Sequence, residues 1–170
     1  FVRYDNRNDA VESVNVARRL VTDGVVAVIG PAQSGNSIAT APVLEKAGIP
    51  MVVTTATNPY VTIDQKTGKV RPFAFRPCFI DPFQGTVAAR FAITDLGAGK
   101  GAILYDVGSD YGQWLAKYFE EAFTAKGGTI VAKEAFRTEE LDYRAQLGKI
   151  KELAPDVIFI PTSQKEAAMA

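Results

Sequence analysis

Four short, mainly apolar runs set the limits on this chain: VVAVIG (25–30), which is continuous, MVV (51–53), GAILYDV (101–107) and DVIFIP (156–161). A strand with one face in water alternates apolar and polar side chains, whereas a strand apolar at every position has both faces covered. Such strands belong to parallel sheets packed between helices, and helical spacing lies between the runs. Asp9 and Glu12 stand as N-cap and N3 of a helix over about 9–22, with an apolar stripe of Val11, Val14, Ala17 and Val21. Further helices are predicted over about 36–47, 82–96, 110–126 and 140–153, with another beginning at the end of the chain. Pro42 is expected to bend the second helix or confine it to its first turns. The helix over 110–126 is expected to bury Trp114, Leu115, Tyr118, Phe119, Ala122 and Phe123. Additional strands are read at FVRYDN (1–6), FAFRPC (73–78) and TIVAKEAF (129–136), and MVV is expected to extend to Thr55. Repeated β-α-β order of this kind specifies a doubly wound α/β architecture.

The order also repeats. Strand 1–6, a helix, then VVAVIGPAQS resembles strand 129–136, a helix, then DVIFIPTSQ; both copies end an apolar strand in a proline, Pro31 or Pro161. In the second copy GAILYDV and its helix come first. Two parallel-sheet lobes are therefore expected, 1–80 and 81–170, each incomplete: the first lacks its opening strand and helix, and the second stops after its third strand. The crossing falls in RPCFIDPFQG (76–85), where Pro77 and Pro82 flank Asp81.

Composition removes several functions. The chain has no histidine, hence no Ser-His-Asp triad, no histidine base and few routes to a zinc site. Its one cysteine, Cys78, lies in the apolar stretch AFRPCF and reads as a buried, inert thiol. No cofactor or metal is expected. Lys+Arg and Asp+Glu balance at 19 each, so no net field favours nucleic acid. Phe1 stands where an initiator methionine is usual, and the true start is expected to lie upstream.

One turn bears on function directly. VIGPAQSGNS (28–37) sets Gly30 and Gly35 five apart before a helix, close to the phosphate-binding pattern G-x-x-x-x-G-K-[ST], and GAILYD has the form of a Walker-B strand. Asn36, however, replaces the lysine that reaches the β- and γ-phosphates. In open α/β sheets ligands sit beyond the carboxyl ends of strands, near helix starts. Hydroxyls collect there: Ser34 and Ser37 after the first run, Thr54, Thr55 and Thr57 after the second, Ser109 and Tyr111 after the third. A singly charged carboxylate fits an uncharged, hydroxyl-lined helix start better than a triphosphate does. Asp106 and Asp110 flank the turn GSD and read as helix-capping carboxylates.

VIGPAQSGNSIATAPVLEKAGIPMVVTTATNPYVT, FAFRPCFIDPFQGTVAARFA and GAILYDVGSDYGQWLAKYFEEAF, taken in order, strongly resemble the solute-binding proteins of branched-chain amino-acid ABC transporters, the Leu/Ile/Val-binding kind of type I periplasmic binding protein. The resemblance implies two lobes closing on an amino acid or related small carboxylate, with Asp81 at the hinge. It implies a membrane permease as partner, and a periplasmic or extracellular location with a lipid anchor an open possibility at a missing N-terminus. Ser34 would bind the ligand carboxylate through hydroxyl and N–H, Thr55 would offer its carbonyl to the ammonium, and Thr57 would contact both. Tyr111 would close over the ligand, with Ala32 and Gln33 bordering its side chain. Where many relatives carry G-Y-Y, Thr162-Ser163-Gln164 stands here, which puts Ser163 at the pocket in place of an aromatic lid and implies a wider or more polar pocket. The acidic partner of the ligand ammonium is expected beyond Ala170. A ligand-sensing regulatory or receptor domain of the same fold is the alternative, and a P-loop-like nucleotide enzyme is the rival from another class.

Overall fold

Asp9 starts the first helix as its position implies. In the structure, a computed structural model describing residues 1–170, its carboxylate accepts from the Glu12 N–H at 2.7 Å, and α1 runs Ala10–Thr22. The chain divides into two compact units, Phe1–Ile80 and Asp81–Ala170.

Unit 1 continues with β1 (Val28–Ile29), α2 (Ser34–Lys46), β2 (Met51–Val52), a 3-10 turn at Pro59–Val61 and β3 (Ala74–Phe75). The strands are parallel in the order β1-β2-β3. Their register sets Val28, Met51 and Ala74 in one row and Ile29, Val52 and Phe75 in the next. Side chains alternate faces along a strand, so the two rows have different environments. The first faces Ala17 of α1 and Ala41 and Leu44 of α2, forming one core with Ile49, Val53, Ala56 and Val61. The second is left to solvent, with Ile29 76%, Val52 39% and Phe75 51% exposed.

Unit 2 comprises α3 (Asp81–Thr94), β4 (Lys100–Asp106), α4 (Asp110–Ala125), β5 (Thr129–Phe136), α5 (Arg144–Glu152), β6 (Val157–Phe159) and α6 (Gln164–Met169). The parallel sheet has the order β5-β4-β6, which puts β4 at its centre. Here both faces are covered. Ile103 packs with Ala89 and Ala92 of α3 and Ala116, Phe119 and Phe123 of α4; Ala102 and Leu104 pack with Phe136, Tyr143 and Ile150. Phe119 is stacked on Phe159 at 4.1 Å between ring centroids. Gly85 lets α3 and α4 cross closely, since a Cβ there would come within 2.8 Å of the Tyr118 and Phe119 backbone.

Several expectations need correction. Residues 1–6 form no strand. Backbone groups of a parallel strand need a neighbour; β5, their counterpart in the repeat, pairs only with β4, and unit 1 holds no strand in that place. The segment turns locally instead, with Asp5 and Asn6 side chains accepting from the Arg7 and Asn8 N–H groups. VVAVIG is not covered on both faces: Val26 is 87% exposed, and regular pairing is limited to Val28–Ile29. Val11 lies outside the buried stripe of α1 at 71% exposure. Pro42 does not confine α2, which continues to Lys46. It sits on the exposed side, where water can serve the carbonyl it leaves unbonded, and Ala41 and Leu44 anchor the helix on either side. Trp114, Tyr118 and Ala122 are half-buried at the flank of α4, whose inner face is Leu115, Ala116, Phe119 and Phe123. Cys78 is half-buried too, its thiol 3.8 Å from the Ala56 carbonyl oxygen.

Candidate functional site

The carboxyl ends of β1 and β2 bring two polar segments together. Gly30, with φ at 109°, and a cis peptide to Pro31 turn the chain out of β1, and α2 begins four residues later at Ser34. Gln33 holds the N-cap position without a side-chain bond to the first turn. That leaves the opening N–H groups of α2, those of Ser34, Gly35 and Asn36, as the open donors of a helix start. Beyond β2, the Thr55 hydroxyl donates to the Ala32 carbonyl at 3.0 Å, and the Asn58 N–H donates to Ser34 Oγ at 3.3 Å. These two bonds fasten the 31–34 turn to the 55–58 loop.

Ser34 is 2% exposed. Its oxygen accepts from Asn58, but a hydroxyl also carries a proton and a second lone pair, so Ser34 keeps a donor for a ligand. Thr57 is 6% exposed, and its hydroxyl finds no hydrogen-bond partner among the protein groups. A buried hydroxyl without a partner costs about 1–3 kcal/mol. Thr55 is exposed, with its hydroxyl committed to Ala32; Ala32 and Gln33 are exposed at the mouth of the turn. Ser34, Thr55, Thr57, Ala32 and Gln33 therefore gather at one end of one sheet.

The same turn does not suit a triphosphate. Ser37, at the magnesium-binding position of a P-loop, is fully buried and donates to the Pro31 and Gln33 carbonyls at 3.2 and 2.9 Å. Asn36 donates to the Asn8 side chain at 3.0 Å, fixing α2 to the segment before α1. Asp106 accepts from Thr138 Oγ1 at 2.8 and 3.0 Å and from the Gly108 N–H at 2.8 Å. It shapes the loop after β4, and α4 is capped by Ser109 rather than by Asp106 or Asp110.

In unit 2, Tyr111 lies in the first turn of α4 and Ser163 precedes α6, at the carboxyl ends of the adjacent strands β4 and β6. Gly112 allows this approach: a Cβ on it would lie 3.0 Å from the carbonyl oxygens of Asp106 and Pro161. The half-buried Tyr111 hydroxyl accepts from Gln84 Nε2 at 3.1 Å. Burial raises its pKa above the ordinary 10, the Gln84 bond opposes this, and the charge of Asp81 adds to the rise. The phenol stays protonated and keeps its O–H to donate. The exposed Ser163 hydroxyl is bonded to the Glu166 carboxylate. Asp81 is fully buried as the first residue of α3.

Sequence reasoning missed two residues at the unit 1 tips. Asn58 joins the loop to Ser34, and only the turn-forming Asn-Pro dipeptide hints at it. Arg76, one residue past β3, donates to the Ala56 and Asn58 carbonyls. The charged side chain inside the apolar stretch AFRPCF is its one mark in the sequence, and it says nothing of the carbonyls that Arg76 binds.

The carboxyl end of the unit 1 sheet thus presents hydroxyls and open helix-start N–H donors side by side. The chain belongs to the periplasmic binding protein family, whose model matches residues 1–168. It is 33% identical over 155 residues to the Leu/Ile/Val-binding protein BraC3 of Rhizobium johnstonii, covering 91% of this chain and 41% of that protein. Among solved structures it resembles the leucine binding protein LivK of Thermotoga maritima (39% identity, TM-score 0.86, 92% of this chain and 43% of that one). It also resembles LivJ of Streptococcus pneumoniae in complex with isoleucine (34%, 0.87, 99% and 46%). A solute binding protein of R. palustris in complex with 4-hydroxybenzoate is a further match (29%, 0.81, 94% and 42%). The chain thus spans less than half the length of these relatives, and its fold is that of a type I periplasmic binding protein.

Proposed function

We propose that the protein is a non-enzymatic, extracytoplasmic solute-binding component of an ABC transporter, capturing an amino acid or related small carboxylate and delivering it to a membrane permease. One observation carries this reading. The uncapped start of α2 and the unpartnered, buried Thr57 hydroxyl stand at the same sheet end, joined through Asn58 and Ser34. In this reading Ser34 gives hydroxyl and N–H to the carboxylate, the Thr55 carbonyl takes an ammonium proton, and Thr57 serves both groups. Ala32 and Gln33 border the ligand side chain. Tyr111 and Ser163 contribute contacts from unit 2, and Asp81 acts as hinge.

The magnitudes suffice. Hydrogen bonds to a charged group contribute about 1.5–3 kcal/mol each. Three or four of them, less the cost of ordering, reach the roughly −8 kcal/mol of a micromolar complex. No bond is made or broken, so the ligand leaves intact.

The test is calorimetry on the full-length protein with L-leucine, L-isoleucine, L-valine and 4-hydroxybenzoate, beside native mass spectrometry for a co-purified acid. Micromolar binding of one carboxylate is the expected result. The reading fails if none of the four binds and no acid co-purifies.

A further inference from the structure

The structure assigns Arg76 as the positioning residue of the ligand loop: its guanidinium clamps the two carbonyls that flank Thr57 and so fixes the direction of the Thr57 N–H. The inference rests on the carboxylate-binding reading above and names a residue that this reading does not use. Arg76 Nη1 donates to the Asn58 carbonyl at 2.6 Å and to the Ala56 carbonyl at 3.2 Å, and Nη2 donates to Thr62 Oγ1 at 3.3 Å. The planar fork holds three acceptors spread over seven residues of loop, which a point charge on a flexible stem does not do.

Peptide geometry gives the clamp its effect. The Ala56 carbonyl and the Thr57 N–H belong to one planar trans peptide, in which the two point in opposite directions. With the carbonyl held by Arg76, the N–H is directed away from the guanidinium. Polarising that carbonyl also makes the N–H a stronger donor. The second arm reaches Ser34: the residue whose carbonyl accepts from Nη1, Asn58, donates its own N–H to Ser34 Oγ. One side chain thus steadies both segments that the reading assigns to the carboxylate. Arg76 touches no ligand atom in this scheme and acts only through Thr57 and Ser34.

The test uses the full-length protein and the tightest binder of the four acids above, with Arg76→Met, Arg76→Lys and Ser34→Ala titrated side by side. Hydrogen exchange is followed at the Asn58 amide and, as a control, at the Val53 amide, which is bonded to the Phe75 carbonyl. Arg76→Met is expected to weaken binding at least tenfold and to speed Asn58 exchange at least tenfold, leaving Val53 protected; Arg76→Lys should recover only part of the affinity. If Arg76→Met binds as wild type while Ser34→Ala is weakened, the positioning role is wrong and the site reading stands. If both bind as wild type, the site reading falls and this inference with it. Full recovery by Arg76→Lys assigns the effect to charge alone, and equal loss of protection at Val53 assigns it to general stability; each overturns the proposal.

Discussion

Unit 2 covers both faces of its sheet with its own helices, while unit 1 covers one. In unit 2, Ala102 and Leu104 face one layer and Ile103 the other, and all three are fully buried. In unit 1, the row Val28, Met51, Ala74 is packed and the row Ile29, Val52, Phe75 is open. The helix starts differ in the same sense. Ser109 closes the start of α4 by accepting from the Gly112 N–H at 3.2 Å, whereas the start of α2 has no side-chain cap and Ser34 lies inside the helix. Unit 2 uses its strand-tip hydroxyl to complete itself; unit 1 keeps its own for something else. Apolar closure and polar closure are thus separate properties, and the unit less complete in both is the one that leaves hydrogen-bonding groups open at its strand tips.

The largest contrast concerns two phenylalanines. Phe119→Ala, removing a ring that is 1% exposed and stacked on Phe159, should destabilise unit 2 by about 3–5 kcal/mol. Phe75→Ala, at 51% exposure, should cost less than about 1 kcal/mol in this 170-residue chain. Denaturant titration of both variants decides it, and equal losses break the claim that the unit 1 sheet face is open.

The helix starts come next. Ser34→Ala and Thr57→Ala in the full-length protein should each weaken carboxylate binding by about 1–3 kcal/mol. Ser109→Ala should leave affinity unchanged and lower the stability of unit 2 by about 1 kcal/mol. Calorimetry beside thermal unfolding separates the two outcomes, and an affinity loss at Ser109 equal to that at Ser34 erases the distinction.

Close fit in unit 2 extends to its glycines. Alanine normally stabilises a helix interior by about 0.5–1 kcal/mol relative to glycine. Gly148→Ala should show that gain, because a Cβ there meets nothing within 4 Å. Gly112→Ala should show a loss of about 1–3 kcal/mol, since its Cβ would press on the Asp106 and Pro161 carbonyls. A gain at Gly112 means that the tips of β4 and β6 are looser than described.

The smallest effect is set by pH. Asp156 accepts from the Gly99 and Lys100 N–H groups at 2.8 and 2.7 Å, and these bonds hold its pKa below the ordinary 3.8. A depressed carboxylate stabilises the fold above its unfolded pKa and loses that contribution as pH falls through the folded value. Asp156→Asn should therefore unfold at a lower temperature than wild type at neutral pH, with the gap closing below about 3.8. A gap that persists in stronger acid excludes the ionised carboxylate as its cause.

What the sequence discloses follows from how local each signal is. Helix starts are written in a few residues, and Asp9 with Glu12 places α1 within one residue. β5 matches TIVAKEAF end to end, and the mainly apolar run of β4 marks the centre of a sheet. Strand formation depends on neighbours, so FVRYDN, with strand-like composition but no adjacent strand, stays irregular. Exposure also depends on what lies across the sheet, which is why VVAVIG reads as covered while Val26 and Ile29 are open. The gathering of Ser34 and Thr57 at one sheet end is legible because hydroxyls at strand tips form a recurrent pattern, while their role toward a ligand is part of the proposal. Arg76 and Asn58 are not, because their partners lie 14 to 24 residues away and loop carbonyls leave no trace in residue type.

The most direct test is a crystal structure of the full-length protein with whichever carboxylate it binds. The account predicts both carboxylate oxygens within about 2.7–3.2 Å of Ser34 Oγ and the first-turn N–H groups of α2, with the Thr57 hydroxyl engaged. A carboxylate bound elsewhere, with Ser34 still bonded only to Asn58, would contradict it.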